Sequence, residues 1–356
     1  MADFETPRLE ELDSQPEAQR LLLSFLKEPS TRSFLWLGPQ GSGKRTHAVS
    51  FVRNLFCKEG TGCPGCPACK QVLSKTHPDL FWVQRDHFWT EVSEDIKKQG
   101  IVVSTAKRLA EKLNQAAFSA PFKVAVIPDA DQLNIEAQNV LLKTLEEPPA
   151  DTILILLAEK AGDFLPTVLS RCRIIRFQAL AVAKVEKILV DIHGWKGPEA
   201  KKAALASNGN LTEALRMADP QWVAFWEKVC SEMDGALGGG DGLWLALGSE
   251  YDGWEPDWLP DTEMTATQRK GMVLGAVFQV YSNLWSRRMR GDAEIPRALA
   301  TLPPDQVLRC LQKHRDILEQ NLGAKMVLDH LFLELREGLK KGSLENPSFM
   351  ELSTQI

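Results

Sequence analysis

At 356 residues the chain is too long for one comfortable hydrophobic core, so two or three domains are expected. Hydrophobic residues make up 44% and charged residues 25%, an ordinary globular balance that excludes a disordered chain. The formal net charge of −5 excludes a protein that neutralises many phosphates alone on one basic face, so any DNA contact is local or shared with partners.

Met1-Ala2-Asp3-Phe4-Glu5 is acidic and lacks a basic-then-apolar signal, and no apolar run approaches the ~20 residues that span a bilayer. A cytoplasmic protein without membrane contact is expected. Further along, Phe34 to Leu37 form a strand-length apolar run that stops at Gly38-Pro39, and a helix-compatible stretch follows from Lys44 to Phe56. Between them Gly38-Pro39-Gln40-Gly41-Ser42-Gly43-Lys44 matches the start of a P-loop, whose glycines let backbone N–H groups surround a phosphate at a helix N-terminus. The next position normally carries Ser or Thr as a magnesium ligand, but here it is Arg45, and Thr46 comes one residue late, about 100° further round the helix.

Four of the seven cysteines, Cys57, Cys63, Cys66 and Cys69, follow that helix, which in a reducing compartment reads as metal binding. Four thiolates close a tetrahedral structural zinc site, and Pro64, Gly65 and Pro67 favour the tight turns it needs. An iron–sulfur reading needs a further cysteine near position 73, which is Leu73. Stapling of an inserted loop is the modest role for such a module, and a knuckle that contacts a partner or DNA is the other.

Val124 to Ile127 and Ile153 to Leu157 read as strands, with a helix over Glu136 to Glu146 between them, so the pattern is βαβ and the sheet parallel. A magnesium-binding Asp followed by a water-polarising Glu is expected after the first of these strands, yet Pro128 stands in the Asp position and Asp129 in the Glu position. ATP and magnesium are therefore not expected to work at this chain's own site. The loop is retained either as an empty turn or as a weak, magnesium-poor nucleotide site through Lys44. After Phe177 short helices are expected to about residue 216. Loops are expected at Gly235 to Gly242 and over 251–262, and helices over Thr265 to Arg290 and Pro304 to Lys340. Cys230 and Cys310 fall on apolar helical faces and read as core.

Ala137-Gln138-Asn139-Val140-Leu141-Leu142-Lys143-Thr144-Leu145-Glu146-Glu147-Pro148-Pro149, followed by an apolar strand and then Ser170-Arg171-Cys172, resembles the clamp-loader branch of AAA+ proteins. That branch holds the delta-prime and gamma/tau subunits of bacterial DNA polymerase III and the small subunits of eukaryotic replication factor C. The resemblance is good from about Ser14-Gln15 to Phe177 and weak to Leu339. It implies that Arg171 is an arginine finger that reaches the γ-phosphate held by an adjacent subunit, and that a zinc module follows the P-loop helix. It also implies partners: gamma/tau and delta subunits in a hetero-pentamer, acting on a sliding clamp and primer-template DNA.

Two further departures bear on which branch this is. Gly209-Asn210-Leu211-Thr212-Glu213-Ala214 carries Thr212 where nucleotide-sensing relatives carry Arg, and Ala158-Glu159 replaces a polar residue after the second strand. A chain that keeps the finger but loses its own catalytic parts is similar to the delta-prime type. The resemblance implies an AAA+ parallel-sheet domain at 1–178 with the zinc module at 57–69, a small helical lid at 179–218, a helical collar domain at 219–342 and a tail at 343–356. The rival readings are a gamma/tau-like active ATPase and a zinc-dependent nucleic-acid binder, and the acidic balance argues against the latter.

Overall fold

In the computed structural model, residues 6–27, 32–83, 103–238, 302–319 and 324–341 are described, with single positions between 273 and 280. The chain divides into two compact units, Met1–Trp195 with Gly209–Thr212, and Lys196–Asn208 with Glu213–Ile356.

The first unit is built on a five-stranded, all-parallel sheet in the order β2-β3-β4-β1-β5. Its strands are β1 (Ser33–Leu37), β2 (Leu80–Trp82), β3 (Lys123–Ile127), β4 (Thr152–Ala158) and β5 (Arg173–Arg176). Every residue of β1, β3 and β4 is buried, as expected of a parallel sheet covered on both faces. Alternation along the strands sorts the core into two layers. Phe34, Trp36, Val124, Val126, Ile153 and Ile155 face helices α1 (Pro16–Lys27) and α2 (Lys44–Phe56). Leu35, Leu37, Ala125, Ile127, Leu154 and Leu156 face helices α4 (Val103–Leu113) and α5 (Ile135–Glu146).

Between α2 and β2 lies the short helix α3 (Pro67–Leu73), and α6 (Pro166–Leu169) precedes β5. The remaining helices of the N-terminal two thirds are α7 (Val182–Asp191), α8 (Gly197–Ala206), α9 (Leu211–Arg216) and α10 (Pro220–Gly238). In the second unit α11 (Pro304–Glu319) and α12 (Ala324–Lys341) pack together, and α10 packs on α12. Trp222, Phe225, Val307, Leu311, Val327, Leu331 and Leu335 are buried there.

The helix expected over Lys44 to Phe56 and the strands flanking the P-loop and the acidic motif are all present, extended by a residue or so at their ends. One expectation fails. Gly235 to Gly238 are not a loop but the last turn of α10, because extending an existing helix through a glycine costs only ~1 kcal/mol once its apolar face (Trp222, Phe225, Val229) has docked. Positions 239–242, 251–262 and most of Thr265 to Arg290 lie outside the described residues, although Val273 and Gly275 to Phe278 are helical.

Candidate functional site

Because all five strands are parallel, the loops after β1, β3 and β4 gather at one end of the sheet, the place where ligands of open α/β sheets bind. The loop after β1 is held tightly. Gly38 N donates to Ala158 O at 3.2 Å, and a Cβ at Gly38 would lie 2.3 Å from Phe177 O, so only glycine fits. Gly41 has φ +70°, and a Cβ there would lie 1.9 Å from Asn210 Oδ1, while Leu211 N donates to Gly41 O at 3.3 Å. The Gly209–Thr212 segment thus closes over the loop. Gly43, at φ 90°, is the N-cap of α2.

Lys44 is buried and turns back on the loop, with Nζ donating to Gly38 O at 2.5 Å and Pro39 O at 2.9 Å. Burial lowers its pKa, against the pull of the Glu159 and Asp131 carboxylates. Burial, with Asp129 and Glu159 nearby, raises that of Asp131. Arg45 Nη2 donates to Asp129 Oδ1 at 2.6 Å. The two positions at which the sequence departs from the expected motif therefore pair with each other. A guanidinium has five donors and no lone pair to give a metal. Pro128 is buried and supplies no ligand, and Thr46 is half-buried one step further along α2.

Arg171 sits at the other end of the sheet. It lies two residues before β5, which runs parallel to β1 with Phe34 beside Arg173, whereas Gly38 follows the far end of β1. The five residues of β1 put roughly 16 Å between those levels. The Arg171 guanidinium is exposed; Nη2 pairs with Glu146, and Nη1 donates to Thr167 O at 2.9 Å and to Ser170 Oγ at 3.3 Å. Ser170 is exposed and also bonds Thr167 O, at 3.1 Å. Cys172 packs its side chain against the core layer that faces α4 and α5, and burial pushes its thiol up to about 12, so it serves as packing beneath the arginine.

Cys57, Cys63, Cys66 and Cys69 converge, with their sulfur atoms within 4.8 Å of one another. Cys57 is the C-cap of α2, and Cys66 is the N-cap of α3 with Pro67 at its first position. Backbone N–H groups point at two of the sulfurs: Cys63 N to Cys57 Sγ and Cys69 N to Cys66 Sγ, both at 3.4 Å. Such donors suit thiolates, and the cluster fits a metal ion bound by four sulfurs. Burial alone raises the Cys57 thiol, but hydrogen bonds from Cys63 and Glu59 bring it to about 6. Burial and its neighbours push Cys69 the other way. Arg53 secures the loop from α2, its guanidinium donating to Thr6 O and to Gly62 O, the latter at 2.8 Å.

Two buried polar residues had no local sign of their role. Gln15 Nε2 donates to Ser42 O at 3.1 Å and Gln178 O at 2.7 Å, tying the phosphate-type loop to the chain leaving β5. Asp79 accepts from the backbone N–H groups of Phe118, Ser119 and Ala120 at 2.6 to 2.8 Å. Only the contacts, made from 27 to 163 residues away, reveal them.

A parallel sheet in this order, with a glycine-rich phosphate-type loop after β1 and acidic residues after β3, defines an open α/β fold of the P-loop type. Residues 14–181 match the family described as "DNA polymerase III, delta subunit". The chain is 26% identical to DNA polymerase III subunit delta' of Bacillus subtilis over 91% of this chain and 97% of that one. It is 34% identical to subunit delta' of Pseudomonas aeruginosa, over 39% of this chain and 41% of that one. A gamma subunit-related protein of Thermotoga maritima superposes with a TM-score of 0.46 at 14% identity, covering 90% of this chain and 99% of that one. Over these stretches the chain is similar to delta' and tau subunits of bacterial DNA polymerase III.

Proposed function

We propose that this chain is the subunit of its clamp loader that does not hydrolyse ATP, and that it lends Arg171 to the ATP site of a neighbouring gamma/tau-type subunit. The observation that carries the reading is the position of Arg171. It stands at the opposite end of the sheet from the chain's own phosphate-type loop, exposed and, among the described residues, attached to Glu146 and its own short turn. A guanidinium there serves a phosphate presented by another molecule. It would exchange the Glu146 carboxylate for the γ-phosphate oxygens and stabilise charge as the phosphoryl group transfers, a contribution on the order of 10³ to 10⁵ in rate for such arginines. The pairing with Glu146 is thus the resting arrangement of the lone chain in this scheme.

The other half of the proposal is silence at the chain's own site. Arg45 and Asp129 neutralise each other, Pro128 offers no side-chain oxygen, and Lys44 is spent on Gly38 and Pro39 carbonyls. The four-cysteine cluster holds structural zinc in this reading. The helical lid at 179–218 and collar at 219–342 assemble with gamma/tau and delta subunits in the cytoplasm, where the assembly places a sliding clamp on primed DNA.

The test compares magnesium-dependent ATP hydrolysis by the chain alone, by its complex with gamma/tau and delta subunits, and by that complex carrying Arg171→Ala. No hydrolysis by the chain alone, with a rate loss of tenfold or more in an intact variant complex, is the expected result. Hydrolysis by the lone chain that Lys44→Ala abolishes would replace this reading with an active gamma/tau-like ATPase.

A further inference from the structure

Between α11 and α12 four polar side chains stand where a helix pair would ordinarily carry aliphatic ones. Cys310 and His314 are one turn apart on α11, and His330 and Glu334 are one turn apart on α12. Their exposures are 4%, 0%, 1% and 4%, and their neighbours along the same faces, Val307, Leu311, Val327 and Leu331, are buried aliphatics. Burying two imidazoles and a carboxylate together is costly unless each is bonded to something that repays its lost water. The grouping needs a purpose.

The geometry supplies one. His314 Nδ1 lies 2.9 Å from Cys310 O, so the N–H belongs on that nitrogen and Nε2 keeps its lone pair. Nε2 faces His330 Nδ1 at 2.9 Å and Glu334 Oε2 at 3.7 Å. Ligand atoms of Cys310, His314 and Glu334 lie within 4.8 Å of one another, and Cys310 Sγ lies 3.8 Å from His314 Nδ1. Lys313 Nζ, 3.2 Å from Glu334 Oε2, is placed to orient the carboxylate from outside, and a carboxylate has a second oxygen to give.

We propose that Cys310, His314, His330 and Glu334 form a second metal site, which takes a divalent transition ion of the zinc type and staples α11 to α12. Two imidazoles, a thiolate and a carboxylate are a borderline-soft set that magnesium and calcium do not favour, and four protein donors close a tetrahedral site with no position open for catalysis. With metal–nitrogen bonds of ~2.0–2.1 Å, the two ring nitrogens need to part by roughly half an ångström. Binding displaces the thiol proton to solvent, so the ion's two positive charges meet one thiolate and one carboxylate. The site is separate from the four-cysteine cluster and does not rest on the ATPase reading.

The test uses the full chain grown and purified with zinc, read by elemental analysis with native mass spectrometry and by X-ray absorption at the zinc edge. Two ions per chain and imidazole scattering in the wild-type spectrum are expected, with His330→Ala and Glu334→Ala each reduced to one ion and a sulfur-only spectrum. One ion ligated by imidazole also supports the site, because it leaves only the cysteine cluster empty. A wild-type chain with sulfur-only zinc or none, or variants that keep the wild-type stoichiometry and spectrum, overturns it and leaves a hydrogen-bonded network closed by Lys313. The wild-type spectrum decides the matter should the variants fail to fold.

Discussion

Arg45 Nη2 lies 2.6 Å from Asp129 Oδ1, joining the first turn of α2 to the loop after β3 across the mouth of the phosphate-type loop. Both side chains are partly open to water, at 52% and 33% exposure, so an ion pair of this kind is worth only ~0–1 kcal/mol. Arg45→Ala is expected to shift the melting temperature by less than about 4 °C and to create no ATPase activity, because Pro128 still withholds a ligand. A gain of magnesium-dependent hydrolysis in this single variant would show that Arg45 alone silences the site.

Gly38 leaves no room for a side chain against Phe177. Gly38→Ala forces its Cβ against the Phe177 carbonyl and is expected to cost ~2 kcal/mol or more, read as a lower denaturation midpoint without a change in slope. A neutral result would mean that the strand-to-helix turn yields more easily than its contacts suggest.

Asp79 is nearly inaccessible; burial alone would raise its pKa, but the N–H groups of Phe118, Ala120 and Ser119 hold it below the ordinary carboxylate value. A depressed folded pKa means that its stabilisation is present above the unfolded value of ~3.9 and is lost as pH falls through the folded one. Asp79→Asn is expected to destabilise by about 2–3 kcal/mol at neutral pH and to flatten the loss of stability below pH ~4. Parallel acid limbs in variant and wild type would assign the pH dependence elsewhere.

For the four-cysteine cluster, zinc has to displace thiol protons, so its apparent affinity is expected to weaken by roughly tenfold or more per pH unit on acidification. A chromophoric chelator competing for the ion between pH 8 and 5 measures this. Cys66→Ser should release zinc more readily at every pH, and an affinity that ignores pH would rule out thiolate ligation.

What could be read from the sequence was local. The α2 boundaries followed from the stop at Gly38-Pro39 and the apolar run to Phe56, and the cysteine cluster declared itself because its ligands span thirteen residues and the turns between them are Pro and Gly. Helix α4 and strands β2 and β5 were not foreseen. β2 has three residues, too few to show a period, and β5 reads Arg-Ile-Ile-Arg, whose charged ends hide an edge strand. Gly235 to Gly238 were misread because glycine content signals a loop only when no docked helix precedes it. The Arg45–Asp129 pair spans 84 positions, and the Cys310–His314 and His330–Glu334 pairs become one cluster only when two helices dock, so no spacing rule announces either.

Helix α2 has Lys44 and Arg45 in its first turn and Cys57 as its terminating residue, with Arg53 gripping the cysteine loop from within. Thirteen residues of helix make a strut of about 20 Å. The cysteine loop and the mouth of the phosphate-type loop thus stand at the two ends of one rigid helix.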